Sequence, residues 1–175
     1  MSGIGLTAGP TGRARVVKVG GSLFDWPQLP QALTTWLDAQ PPATNYLLAG
    51  GGQWVDALRR AANTFQLSET FCHEAAIDLM TSSAAVLREL LREYTGDFEV
   101  INARQFLCEA KVELPASWEV TSDSIAATIA EALKADELVL LKSTSASAQI
   151  VDSYFATAAA NLPHVRIVNL RETQG

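Results

Sequence analysis

Apolar positions along the chain fall into two alternating patterns, short unbroken runs and longer stretches at helical spacing. Arg15 to Val19 is a β-branched run closed by Gly20-Gly21, and it predicts a buried strand. Leu29, Leu33, Trp36 and Leu37 then recur at helical spacing until Gln40-Pro41-Pro42 stops the helix. Tyr46 to Ala49 is a second apolar run, closed by Gly50-Gly51-Gly52. Trp54, Val55, Leu58, Ala61, Ala62 and Phe65 follow on one face of an amphipathic helix. The stripe Ile77, Met80, Ala84, Leu87 and Leu91 predicts a long helix, from Thr70 to Glu93. Gly96-Asp97 breaks it, and Phe98 to Ile101 reads as a strand. Asn102 is placed to cap a short helix through Leu107, and residues 111–119 are irregular. Thr121-Ser122-Asp123 offers capping chemistry for a helix carrying Ile125, Ala126, Ile129, Ala130 and Leu133. Leu138 to Leu141 is a strongly apolar strand ending at Lys142. A helix over Asp152 to Asn161 and a strand over Val165 to Val168 complete the series.

Strands alternate with helices, and the strands are continuously apolar rather than alternating. Both features predict an α/β fold with a mostly parallel sheet covered by helices on both faces. Residues 1–13 hold four glycines and no periodicity, so they read as a flexible leader. Residues 14–175 read as a single domain, without an internal repeat or a linker.

Composition narrows the function classes. The formal net charge of −6 and the lack of a basic run argue against nucleic acid as the main partner. No stretch of about 18 apolar residues marks a membrane span. The first ten residues lack the charged-then-apolar pattern of a signal peptide. Cys72 and Cys108 lie far apart, outside any metal-ligand spacing, and read as reduced, buried small hydrophobes of a cytoplasmic protein. Walker-type, dinucleotide, HExxH and GxSxG motifs are all absent from the sequence.

In open parallel sheets, ligands bind beyond the carboxyl ends of the strands. The first predicted strand ends in Lys18, Gly20, Gly21 and Ser22, the second in Gly50, Gly51 and Gly52, and the fourth in Lys142. The chain has only four lysines, and two of them stand at strand ends. A lysine inside a Val-Val-Lys-Val run either snorkels to solvent or meets an anion. Three glycines between a strand and a helix bring bare amides and a positive helix end to a ligand phosphate. The plainer reading is a tight turn. Asp123 is either a helix-start acid favoured by the dipole or a buried carboxylate that orients the lysines. His73 reads as a core or boundary residue. Asp56 and Arg59 read as a solvated intrahelical pair, or as ligands of a cationic group and a phosphate where that helix borders a site. The four tryptophans, Trp26, Trp36, Trp54 and Trp118, read as packing residues.

Taken in order, these segments resemble the signatures of the amino-acid kinase superfamily, which includes aspartate, glutamate and uridylate kinases. Lys18-Val19-Gly20-Gly21-Ser22 resembles its first signature, and Gly50-Gly51-Gly52 before a helix its second. Val120 to Ala127 is similar to the third, in which an aspartate opens a helix. Leu140-Leu141-Lys142-Ser143-Thr144 is similar to the strand end that begins the nucleotide lobe. Gly50 to Arg59, His73 with Ala76-Ile77 and Met80, Val151 to Phe155 and Val168-Asn169-Leu170 resemble a branch that phosphorylates an aminomethylfuran phosphate in methanofuran- and tetrahydromethanopterin-type cofactor biosynthesis.

The resemblance implies a three-layer αβα sandwich and phosphoryl transfer from ATP with Mg²⁺ to a small phosphorylated or carboxylated acceptor. Lys18 would bridge the two phosphates, and Asp123 would hold Lys18 and Lys142. Gly20, Gly21, Ser22 and Gly50–Gly52 would bind the moving phosphoryl group. Lys142, Ser143 and Thr144 would contact the nucleotide, and Asp56, Arg59 and His73 the acceptor. No protein motif for the metal is implied. A homodimer or higher homo-oligomer is the implied assembly. The polar stretch Ser143 to Ala148 stands where relatives carry an aspartate-glycine turn, so the nucleotide half reads as shortened. A nucleotide- or anion-binding protein without catalysis, or a subunit of a hetero-complex, is the alternative.

Overall fold

Residues 12–145 and 151–174 are described by a computed structural model of the chain. Five strands form one sheet: β1 (Ala14–Val19), β2 (Thr44–Ala49), β3 (Phe98–Val100), β4 (Glu137–Lys142) and β5 (Val165–Asn169). Their order is β3-β2-β1-β4-β5, and every pairing is parallel. The apolar runs of β1, β2 and β4 fall where the sheet is covered on both faces, while Val165 and Ile167 of the edge strand β5 are exposed. All of Val16, Val17, Val19, Leu47, Leu138, Val139, Leu140 and Leu141 are completely buried.

Side chains alternate between the faces of a strand, so the sheet feeds two cores. On one face, Val16, Tyr46, Leu48, Leu138 and Leu140 pack with α4 (Ala103–Ala110), α5 (Ser122–Ala132) and α6 (Phe155–Ala158). On the other, Val17, Val19, Leu47, Val139 and Leu141 pack with α1 (Leu29–Asp38). The long helix α3 (Glu69–Leu90) serves both: Ile77 and Met80 join the first core, Ala84 and Leu87 the second. The predicted αβα layering is what forms. Helix α2 (Gly52–Phe65) starts directly at the glycines and packs on α3.

Chain order and sheet order part company at β1. β2 lies on one side of it and β4 on the other, so successive connections leave in opposite directions. A crevice opens at the carboxyl ends at such a switch point. The strand-end residues singled out in the sequence all border it.

Three expectations are corrected. The helix expected over Asp152 to Asn161 is one turn, Phe155–Ala158, because the Asp152 side chain is turned back to cap α5. Cys108 is exposed and only Cys72 is buried. The buried stripe of α4 is Ala103, Phe106 and Leu107, and Cys108 falls off it. Trp118 is more than a packing residue, since it lines a cavity at the crevice. The leader segment 1–11 and Ala146 to Ala148 lie outside the described residues.

Candidate active site

Lys18 and Lys142 stand on adjacent strands. Both share the face of Val16 and Leu140, which looks toward α5. Helix α5 begins at this point, and its buried Asp123 receives both ammonium groups. Lys18 Nζ lies 2.9 Å from Asp123 Oδ1, and Lys142 Nζ lies 2.5 Å from Oδ2. The Lys18 and Asp123 side chains are each 6% exposed and Lys142 is 15% exposed, so the triad is closed to bulk solvent on most sides. Lys142 donates a hydrogen bond to Oδ2. The Lys18 nitrogen sits beside Oδ1 but off the hydrogen-bonding direction, which leaves that oxygen with ion-pair contact alone.

Electrostatics follow from this placement. Burial pushes the Asp123 carboxyl up, but Lys18 and Lys142 together outweigh it and hold the group below its ordinary range. Burial, with repulsion from Lys18, lowers Lys142, and together they outweigh the pull of Asp123 and Asp152. The triad itself thus sets two ammonium groups against one carboxylate, with Asp152 acting on Lys142 from beyond it.

Asp123 is positioned by the start of α5. Thr121 caps the helix, its side chain accepting from the Asp123 amide at 3.4 Å. Asp152 adds a second cap from outside the helix. Its Oδ2 accepts from the Thr121 amide at 3.2 Å, the Thr121 hydroxyl at 2.6 Å and the Ser124 amide at 3.2 Å. The Ser124 hydroxyl donates to its other oxygen. Sequence reasoning quoted Asp152 within a resemblance but gave it no role. The signal was available, as an unpaired aspartate on the far side of an unpatterned polar segment.

The glycine loops interlock. A Cβ on Gly21 would lie 2.1 Å from the Gly52 nitrogen, and one on Gly52, where φ is +53°, would lie 2.4 Å from the Gly21 oxygen. No side chain fits between the loops. Gly20 and Gly50 extend the sheet, donating their amides to Leu141 and Val19 carbonyls. Those two amides are thus committed, which removes Gly20 and Gly50 as direct phosphate donors. Gly52 opens α2, where first-turn amides have no intrahelical acceptor. Ser22 and Ser143 join hydroxyls at 2.7 Å across the crevice, and Thr144 is exposed beyond them.

Beside the triad lies a cavity of about 250 Å³, floored by Gly21, Ser22, Gly51 and Gly52. Asp56, Arg59, His73 and Trp118 line it, together with the apolar Val55, Ile77, Met80 and Ile125. Asp56 and Arg59 pair with each other at 3.1 Å and both line this space. The Arg59 guanidinium lies 5.2 Å over the Trp118 ring. A second, more open space is lined by Trp118, Asp123, Val151 and Asp152 on the other side of the aspartate.

The sequence matches no protein-family model and no curated protein. Among solved structures, the chain is similar to the uridylate kinase of Archaeoglobus fulgidus, at 17% identity over 79% of this chain and 68% of that one, with a TM-score of 0.51. It is also similar to the UMP kinase of Ureaplasma parvum, at 9% identity over 91% of this chain and 90% of that one, with a TM-score of 0.59. This is the amino-acid kinase fold. Within it, the all-parallel sheet and the flanking helices are common ground with the UMP kinases. Among the described residues, no helix is long and apolar enough to cross a membrane, and no three His, Cys, Asp or Glu side chains cluster as a metal site.

Proposed function

We propose that this protein transfers the terminal phosphoryl group of ATP to a small anionic acceptor held in the cavity between α2, α3 and α5. The observation that carries the reading is the triad: two lysines from adjacent strand ends, held by one buried carboxylate beside two interlocked glycine loops. Phosphoryl transfer asks a protein for positioning and charge neutralisation, and this arrangement supplies both.

In this account the acceptor oxygen forms a bond to the γ-phosphorus while the bond to the β-γ bridging oxygen breaks. The displaced electron pair stays on ADP. Lys18 stands between donor and acceptor and stabilises the equatorial oxygens, and Lys142 holds the nucleotide phosphates. The amides at the start of α2 and at Gly21 and Ser22 meet the moving group as an oxyanion site does. Asp123 keeps the two lysines in register and is a positioning residue. An acceptor that is already a phosphate or carboxylate has no proton to lose, so no general base is required. Mg²⁺, where bound, would supply charge neutralisation at the nucleotide phosphates. Asp123 is engaged by the two ammonium groups and Asp152 by its capping bonds, which suits a metal carried mainly by substrate phosphates.

The finer reading of the acceptor is an aminomethylfuran phosphate or a close analogue. It rests on the sequence resemblance at Gly50–Arg59 and His73. The cavity supports it with Arg59 for the phosphate, Asp56 for an amine and Trp118 for a flat ring. Binding without transfer is the second reading. It is favoured by the glycines having a packing reason of their own, since a Gly21 Cβ cannot clear Gly52. Incubation with γ-labelled ATP, Mg²⁺ and a panel of phosphorylated acceptors, UMP and aminomethylfuran phosphate included, separates the readings. Label in the acceptor supports the kinase. Nucleotide binding with no label in any acceptor supports the second reading.

A further inference from the structure

His73 sits on the inward side of α3 and is 5% exposed, yet among the described residues no hydrogen bond engages its imidazole. Among the described residues Asp123 Oδ1 is the sole buried side-chain polar atom without a hydrogen-bond partner, so the unbonded His73 ring nitrogens keep an opening toward the spaces beside them. Two spaces touch this ring. One is the cavity beside the glycine loops. The other is a cavity of about 390 Å³ between α3 and α4. His73 and Ile77 line both, so they form the wall the two spaces share.

The second cavity has an amphipathic character. Ile77, Leu107, Val112 and Leu114 give it apolar surface. Glu74 and Arg104 neutralise each other on its wall, so the charge left uncompensated among its lining residues is Glu113. Arg59 and the glycine loops lie in the first cavity and suit an anionic head. The far cavity suits an aliphatic stem ending in an amine.

We propose that the acceptor is elongated: its phosphate lies at the glycine loops, its stem passes His73, which hydrogen-bonds to it, and its amine-bearing tail occupies the α3–α4 cavity. This rests on the phosphoryl-transfer reading for the head, and it takes the acceptor's amine to the α3–α4 cavity rather than to Asp56, where a compact aminomethylfuran phosphate would place it. It adds a tail subsite and makes His73 a specificity-determining residue.

Calorimetry with ω-aminoalkyl phosphates of two to six carbons tests it, alongside NMR of the imidazole signals of the chain's two histidines. His73→Gln and His164→Gln assign those signals. Affinity is expected to rise about threefold to fourfold with each methylene that enters the cavity. The His73 signal is expected to shift only with the longer probes. Leu114→Trp, which fills the cavity, should abolish the gain with length and leave phosphoethanolamine binding unchanged. Alkylation of the exposed Cys108, which also lines the cavity, should do the same without a substitution. Affinity independent of length, or a gain that survives both blocks, would overturn the tail subsite alone. If no probe binds at all, including phosphoethanolamine, the head site falls and the tail falls with it.

Discussion

Lys18 and Asp123 are 105 positions apart in the chain, and their charged groups meet at 2.9 Å with both side chains 6% exposed. Lys142 shares the same carboxylate. A buried lysine and a partly buried one thus share this carboxylate. Replacing Asp123 by Asn removes the ion-pair partner of Lys18 and leaves Lys142 only the more distant Asp152, and breaking a buried pair in this way costs about 3–5 kcal/mol. Urea denaturation of Asp123→Asn should show that loss in the unfolding midpoint. A midpoint within error of the wild type would contradict the buried triad.

The same triad sets the response to pH. Asp123 titrates below its unfolded value, so its contribution to stability is present above about pH 4 and is lost as pH falls through the folded value. Glu137 is also lowered: burial raises it, but Arg15 and Arg166 outweigh that, so it acts in the same direction. Unfolding midpoints measured in a Glu137→Gln background isolate the aspartate. Removing Asp123 there should flatten the remaining acid slope. Lys142 titrates below the ordinary lysine value, so ATP affinity should fall at a pH where an exposed lysine is still charged. Affinity that stays constant up to about pH 10 would contradict this.

Gly21 and Gly52 set the spacing of the two loops. Gly21→Ala places a methyl 2.1 Å from a backbone nitrogen that has no room to retreat. A stability loss of about 1–3 kcal/mol is expected from such overpacking. Phosphate affinity should fall with it, because the amides move apart. Thermal melting and calorimetry on the same variant measure both. Unchanged values would mean that the loops are not interlocked.

Trp118 holds Arg59 across the cavity. The Arg59 side chain is 45% exposed, so this contact is worth about 0.5–1 kcal/mol. Trp118→Ala should raise the acceptor KM about twofold to fivefold and leave kcat near wild type. Trp118→Phe should restore most of the loss. A fall in kcat with KM unchanged would assign Trp118 another role.

Much of the architecture was legible because the strands are unbroken apolar runs and glycines or prolines close them. β1, β2 and β4 carry the site, and all three stood out in the sequence for that reason. The caps were legible too: Asn102 accepts from Gln105 and Thr121 from Asp123, as side chains of these types do at helix starts. Sheet order was not legible, because a parallel neighbour is chosen by packing between residues over a hundred positions apart. Asp152 misled for a local reason. Its carboxylate competes with the backbone for hydrogen bonds and here serves another helix, so the expected helix shrinks to Phe155–Ala158. Trp118 lies on an aperiodic segment, where spacing says nothing about which side chains face a cavity. The pairing of Lys18 with Asp123 was one of two readings of that aspartate and was implied by the resemblance; the β1–β4 register puts both lysines on one face, and the start of α5 brings Asp123 to them.

The central claim is that the lysine triad and the glycine loops form a nucleotide-phosphate site. Calorimetric titration of the purified chain with ATP and Mg²⁺, beside Lys18→Ala and Lys142→Ala, tests it most directly. Binding by the wild type that weakens at least about tenfold in each variant, with both variants still folded by circular dichroism, is the predicted result. Equal affinity in all three proteins, or no binding by the wild type at millimolar ATP, would contradict the account.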